Sequence, residues 1–262
     1  MPAPMTTHFA DFGNSLILRP RNSCVRRTSL VVYQNDITAV GSNQMATESL
    51  SEQAYRLIRQ KIVRLELAPG AVIREDGLQQ QLGIGRTPIR EALQRLARDQ
   101  FLVVIPRRGM IVSNIDVSEL SMLYETRAIL EPYAARLACQ RGRQEHWQQM
   151  REVLDSAAKP KITAQDQIHF DAQCHEIVWA AAGNRFLTDT LDVLYAQSDR
   201  LWHIYLSDVA DMGHALDEHV EILHALESGD SDLAYRLSET HVQSFDAQVR
   251  DAVRKRLGSS SL

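Results

Sequence analysis

The sequence predicts a mainly α protein in which a small winged helix-turn-helix precedes an all-α, six-helix antiparallel bundle. Three observations carry this prediction. Apolar residues at helical spacing, with capping and breaking signals, run through residues 48–99 and again from residue 116 onward. Between these stretches one strand-like pair, near Leu102–Ile105 and Met110–Ser113, brackets the turn Pro106-Arg107-Arg108-Gly109. Charge is unevenly divided, with segment values of +2 for residues 1–47, +4 for 48–114 and −10 for 115–262 behind the overall −4. A basic module joined to an acidic one confines phosphate attraction to one part of the molecule.

Residues 1–46 keep no sustained period and contain one short apolar run, Leu30-Val31-Val32-Tyr33. They read as a disordered N-terminal extension without the apolar core or cleavage site of a signal peptide. Folded patterning begins only after Met45, which suggests that the natural start lies there and that the first 44 residues are dispensable or a misplaced start. The expected domains are therefore residues 47–115 and 116–258.

Within the first domain, Ser49 and Glu52 form an S-x-x-E capping box ahead of Ala54, Leu57, Ile58, Ile62 and Leu65. This helix should stop near Pro69-Gly70. A short second helix is expected over Asp76–Leu82, ended by Gly83, and a third from about Gly85 to Asp99. In the second domain the periods place helices near 117–141, 143–157, 164–182, 185–207, 212–228 and 230–256, with Gly183 and Gly229 as stops and Pro132 as a kink.

The three cysteines, Cys24, Cys139 and Cys174, are scattered and form no CxxC pair. That pattern argues against a disulfide framework and for a reducing cytoplasm, with Cys174 a buried core thiol. No apolar run approaches the roughly 20 residues that span a bilayer, so no membrane partner is expected.

The third helix separates two faces. Ile89, Ala92, Leu93 and Leu96 share one side, and Arg86, Thr87, Arg90 and Gln94 share the other. Arginine can reach guanine edges, and Thr or Gln can reach bases or phosphate. Pro88 is tolerated in the first turn, where backbone amides lack helical acceptors. A merely solvated arginine face is the competing reading of this helix alone. The string Leu67-Ala68-Pro69-Gly70, then Leu82-Gly83-Ile84-Gly85-Arg86-Thr87-Pro88-Ile89-Arg90-Glu91-Ala92-Leu93, then Leu96 and Pro106-Arg107-Arg108-Gly109 resembles the DNA-binding domain of the GntR family of bacterial repressors. The resemblance implies that Arg86, Thr87 and Arg90 contact DNA and that the wing, Arg107, Arg108 and Gly109, enters or flanks the minor groove. Gly85 departs from the Ser common there, and Asp76-Gly77 from a basic residue of some relatives, so the operator sequence does not transfer.

Asp171 and His175 are four apart in a helix-patterned segment and project from one face, while His219 and His241 lie on two later helices that an antiparallel bundle can bring to the same point. Three imidazoles and one carboxylate suit a borderline divalent metal and leave positions open. The acidic half also resembles the FCD effector domain of the FadR-type branch, in a shorter VanR-like form. The residues that carry this are Leu123-Tyr124-Glu125-Thr126-Arg127 with Glu131, Asp171-x-x-x-His175 with Gly183-Asn184, Glu218-His219, Gly229-Asp230 and His241. By resemblance Asp171, His175, His219 and His241 bind a divalent metal, zinc first, with nickel, manganese or iron as options, and Arg127 and Asn184 line an effector pocket. Arg127 could instead pair with Glu131, and Asn184 could serve only to terminate a helix. His175-Glu176-Ile177-Val178-Trp179 lacks the second His of an HExxH protease.

These features favour a cytoplasmic, homodimeric, ligand-responsive transcription factor, most often a repressor by resemblance, and not an enzyme. It would bind a pseudo-palindromic double-stranded DNA operator and answer to a small organic acid held at the metal. The alternatives are a DNA-binding protein with a purely structural metal, and a helical metal-dependent hydrolase using Glu176 or Glu218 as base.

Overall fold

The computed structural model describes residues 48–114, 117–205 and 212–259. The reading of residues 1–46 as an extension lies outside them. In chain order the elements are α1 (Leu50–Val63), α2 (Glu75–Leu82), α3 (Arg86–Arg98), β1 (Leu102–Ile105), β2 (Gly109–Val112), α4 (Val117–Arg141), α5 (Gln144–Ala157), α6 (Ala164–Ala182), α7 (Arg185–Tyr205), α8 (Met212–Ser228) and α9 (Ser231–Ser259).

Ser49 caps α1 by accepting from the Glu52 amide at 3.1 Å. The expected reciprocal bond of a capping box gives way to a tertiary one, since the Glu52 carboxylate lies 2.6 Å from Arg95 Nη1 of α3. Gly83 closes α2 at φ 65°, a left-handed conformation that costs glycine least. β1 and β2 pair antiparallel, with Ile105 opposite Gly109, so the second strand begins one residue earlier than the spacing predicts. Ser113 falls outside it because its amide and hydroxyl both donate to the Phe101 carbonyl. Ile58, Ile62, Ile89, Leu93 and Leu96 are fully buried and join Phe101 and Val112 in one apolar cluster. Burying each such aliphatic side chain contributes roughly 1.5–3 kcal/mol.

The remaining six helices match the expected bundle, with small shifts at their ends. α5 and α9 begin one residue late and α9 runs to Ser259, while the expected end of α7 falls among residues outside those described. α4 continues through Pro132 without ending there. Gly142 follows α4 where Trp147 packs so closely that an added Cβ would meet the indole ring at 2.3 Å. The α4–α9 and α4–α6 pairs are the most extensive contacts of the bundle. Trp147, Trp179 and Trp202 are all buried.

One helix of the bundle also packs against the N-terminal elements. Arg59 of α1, itself buried, holds Asp192 of α7 in a bidentate pair at 2.5 and 2.9 Å. Gln197 Nε2 donates to the Asp99 carbonyl at 3.1 Å, and Arg200 donates to the Ser113 hydroxyl and carbonyl at 3.0 and 2.9 Å. Val193 and Ala196 join the apolar cluster of α1–α3. At about 100° per residue these five positions occupy one arc of α7.

Candidate metal centre and nucleic-acid interface

Asp171 and His175 sit one turn apart on α6, His219 on α8 and His241 on α9, and all four are buried. One ligating atom from each lies within 4.8 Å of the others. The imidazoles meet through their Nε2 atoms. His219 Nε2 is 2.9 Å from Asp171 Oδ1, His241 Nε2 is 3.2 Å from His175 Nε2, and His175 Nε2 is 3.7 Å from Asp171 Oδ2.

The outward nitrogens explain this orientation. His241 Nδ1 is 2.7 Å from Glu218 Oε2 of α8. His175 Nδ1 is 2.9 Å from Glu131 Oε2 of α4, although off the line of a good hydrogen bond. A carboxylate behind an imidazole fixes the proton on Nδ1 and leaves Nε2 with a lone pair for a metal. His219 Nδ1 has no hydrogen-bond partner among the described residues.

Electrostatics agree with this donor set. Burial raises the Asp171 pKa, but the three surrounding imidazoles outweigh it and hold the carboxyl well below its usual range. Burial lowers the His219 pKa, and the neighbouring His241 adds to it, bringing His219 to about 4 against the pull of Asp171. His219 is therefore neutral at pH 7, as a ligand must be. Three imidazole nitrogens, one carboxylate oxygen and a further carboxylate behind two of the rings fit a divalent cation.

A small cavity adjoins the cluster, lined by Arg127, Asp171, Tyr195, Ser198 and Asp199 with Ile168, Trp202 and Phe245. Arg127 is both pocket wall and ion-pair partner, because its Nε lies 2.5 Å from Glu131 Oε1 while Nη1 has no hydrogen-bond partner. Asn184, expected in this wall, is not among its lining residues; its Oδ1 faces the first turn of α7, 3.4 Å from the Leu187 amide. Tyr195 was not legible as a site residue, yet its hydroxyl donates to Asp171 Oδ2 at 2.7 Å. Nothing in the local period near Tyr195 distinguishes it from a core aromatic.

On the N-terminal elements Arg86, Thr87, Arg90 and Gln94 are all exposed along α3, opposite the buried Ile89, Ala92, Leu93 and Leu96. Arg107, Arg108 and Gly109 are exposed at the tip of the β1–β2 hairpin. Glu75 of α2, which the pattern did not single out, is 2.8 Å from Arg90 Nε and 3.9 Å from Arg86 Nε. It restrains both arginines on the exposed face.

Residues 50–112 match the family model described as bacterial regulatory proteins, gntR family, and residues 122–244 match the FCD domain. The chain belongs to the GntR family, with an FCD domain after its helix-turn-helix. It is 26% identical over 206 residues to the HTH-type transcriptional repressor RspR of Escherichia coli, covering 78% of this chain and 90% of that relative. To the Nta operon transcriptional regulator of Aminobacter aminovorans it is 28% identical over 193 residues, covering 73% and 90%. The solved structure of Escherichia coli McbR/YncC superposes with a TM-score of 0.70 at 22% identity, covering 78% of this chain and 99% of that one, and so shares its fold. The family member described here is accordingly a DNA-binding regulator and not an enzyme. Among the described residues no helix is long and apolar enough to cross a membrane.

Proposed function

We infer that this GntR-family protein is a repressor whose operator affinity is set by a small organic acid bound beside a divalent metal. The observation that carries the reading is a juxtaposition on α7. Tyr195 bonds the cluster residue Asp171, and Asp192, Gln197 and Arg200 of the same helix grip the DNA-binding elements. A ligand that changes the packing of Tyr195 thereby has a direct mechanical route to α1 and the wing.

In this reading Asp171, His175, His219 and His241 hold the ion, zinc by donor type, with nickel, manganese or iron as substitutes. When bound, the ion supplies a positive anchor with open positions for a carboxylate. Arg127 Nη1 then pairs with an oxygen of that carboxylate. Arg86, Thr87, Arg90 and Gln94 read the major groove, and Arg107, Arg108 and Gly109 contact the flanking backbone or minor groove. The functional domains are residues 47–115 and 116–258, and the protein works in the cytoplasm.

A pseudo-palindromic operator calls for two copies related by a two-fold axis. Met122, Ile129 and Tyr133 are exposed on α4 at spacings of seven and four, an apolar stripe suited to a second copy of the chain. The repressor role has the support of the relative named a transcriptional repressor.

The test is metal analysis of the purified full chain, followed by operator titration with and without candidate carboxylates. Bound metal together with a carboxylate-dependent change in operator affinity is the expected result. Metal without any small-molecule response would replace this reading with a structural ion, and absence of bound metal after reconstitution would overturn the site.

A further inference from the structure

Glu75 is an acid set among the exposed arginines of the reading face. It opens α2, and the two residues before it are tied to the wing: the Ile73 amide donates to the Met110 carbonyl at 2.9 Å, and Val72 bridges Ile111 of β2. One turn further on, Leu78 is buried in the apolar cluster of α1–α3. The backbone of Glu75 is thus held from both sides, and its carboxylate reaches α3 from a fixed origin. Its Oε2 accepts from Arg90 Nε at 2.8 Å, and Arg86 Nε lies 3.9 Å from the same oxygen.

The shape of a guanidinium decides what this leaves open. With Nε on the carboxylate, Nη1 and Nη2 of Arg90 make no hydrogen bond among the described residues. Those two nitrogens are a parallel donor pair of the kind that matches O6 and N7 of guanine. Arg86 and Arg90 are also like charges four residues apart on one helix, which repel each other. A carboxylate between them offsets the repulsion and opposes the swing of Arg90 toward a phosphate. The same negative charge weakens attraction to every duplex alike, so its benefit lies in discrimination between sequences.

We propose that Glu75 is a positioning residue for sequence readout: by holding Nε of Arg90, it presents the terminal pair of nitrogens to one guanine in each half of the operator. This rests on the reading of α3 as the major-groove helix, and it names the base that one of its arginines selects. Arg86, at 3.9 Å, senses the charge of Glu75 without a hydrogen bond to fix its direction, so the effect runs through Arg90. A pair this exposed changes an equilibrium by up to about fivefold, and two copies on a two-fold operator square that to about 25-fold.

The test starts with selection of duplexes from a randomised DNA library by the full chain, as wild type, Arg90→Ala and Glu75→Ala. The wild type should select a guanine in each half-site that Arg90→Ala no longer requires and that Glu75→Ala requires less strictly. Fluorescence anisotropy at one fixed salt concentration then compares affinity for the wild-type consensus with affinity for a scrambled duplex. Glu75→Ala, checked by thermal unfolding, should lower this ratio by at least about fivefold, with affinity for the scrambled duplex unchanged or raised. Introduced into Arg90→Ala, the same substitution should alter the ratio by less than about twofold, because the residue it positions is gone. A smaller loss in Glu75→Ala, an equal loss in the absence of Arg90, or an Arg90-dependent base other than guanine overturns the positioning role while leaving α3 as the reading helix. Arg90→Ala selecting the same consensus as the wild type overturns both.

Discussion

Removing Glu218 tests the link between fold and metal most directly, because its carboxylate touches the site only through His241. Its Oε2 lies 2.7 Å from His241 Nδ1 and its side chain is 16% exposed, so the contact is largely shielded from solvent. Loss of such an outer partner lowers metal affinity by about 10–100-fold, equivalent to roughly 1.4–2.7 kcal/mol. At a free metal concentration of about 1,000 times the wild-type Kd, the ion stabilises the folded chain by about 4.1 kcal/mol, and Glu218→Ala forfeits the stated part of it. At about 2–4 °C per kcal/mol for a protein of this size, the metal-induced rise in Tm should shrink by roughly 3–11 °C. The quantity to compare is the holo-minus-apo difference, which cancels any cost of leaving His241 Nδ1 without its acceptor in both states. Glu218→Gln, which keeps an acceptor but loses the charge, should fall between. Glu227→Ala, on the same helix but paired with Arg151 at the surface, should match the wild type. Competition titration against a chromophoric chelator gives the affinities; a Glu218→Ala value within threefold of wild type in a folded protein would refute the argument.

Asp192→Ala removes the bidentate carboxylate from buried Arg59; because Asp192 is 34% exposed, the expected destabilisation is about 2 kcal/mol, below the range for a fully buried pair. The same variant should bring the ratio of operator affinities with and without effector toward one, and a full response measured by fluorescence anisotropy would count against α7 as the route. Arg86→Ala and Arg90→Ala should each cost about 1–3 kcal/mol of specific operator binding, whereas Arg107→Ala should mainly lower the salt slope by about one. Operator titrations over a range of salt distinguish the two behaviours. Burial alone would lower the His203 pKa, but the hydrogen bond and charge of Asp199 outweigh it and raise the value above 6.5. The stability this pair contributes is therefore complete below pH 6.5 and is lost as pH rises through the elevated value. An NMR titration of the His203 ring should give a midpoint above 6.5 in the wild type and below it in Asp199→Asn.

The readable parts of this chain are those in which chemistry repeats within one or two turns. Asp171 and His175 announce a shared helix face by spacing alone, and Arg86, Arg90 and Gln94 are separated from Ile89, Leu93 and Leu96 by a period of 3.6. The Gly83 and Gly183 stops likewise depend only on local backbone conformation, at φ 65° and 62°. What local spacing could not supply is a partner that carries no motif of its own. Tyr195 reaches Asp171 from 24 residues away, and Asp192 meets Arg59 across 133 residues. Glu52 shows the same limit at short range. Its position fits a capping box, but Arg95 offers a charged partner, and a tertiary ion pair displaces the local bond. Asn184 carries a local role as well, its Oδ1 accepting from the Leu187 amide at 3.4 Å in the first turn of α7.

The two stripes of α7 carry a consequence for how such a regulator can change over time. Tyr195, Ser198, Asp199 and Trp202 fall in one arc of the helix, and Asp192, Val193, Ala196, Gln197 and Arg200 fall in another. At about 100° per residue the arcs do not overlap. Substitutions that retune the sensor can accumulate on the first stripe without disturbing the docking of the DNA reader on the second. Insertions cannot: one extra residue within α7 would rotate everything after it by about 100° and carry sensor positions out of register with docking positions. A lineage built on this helix is free to exchange ligands by point substitution while its spacing from Asp192 to Trp202 stays fixed.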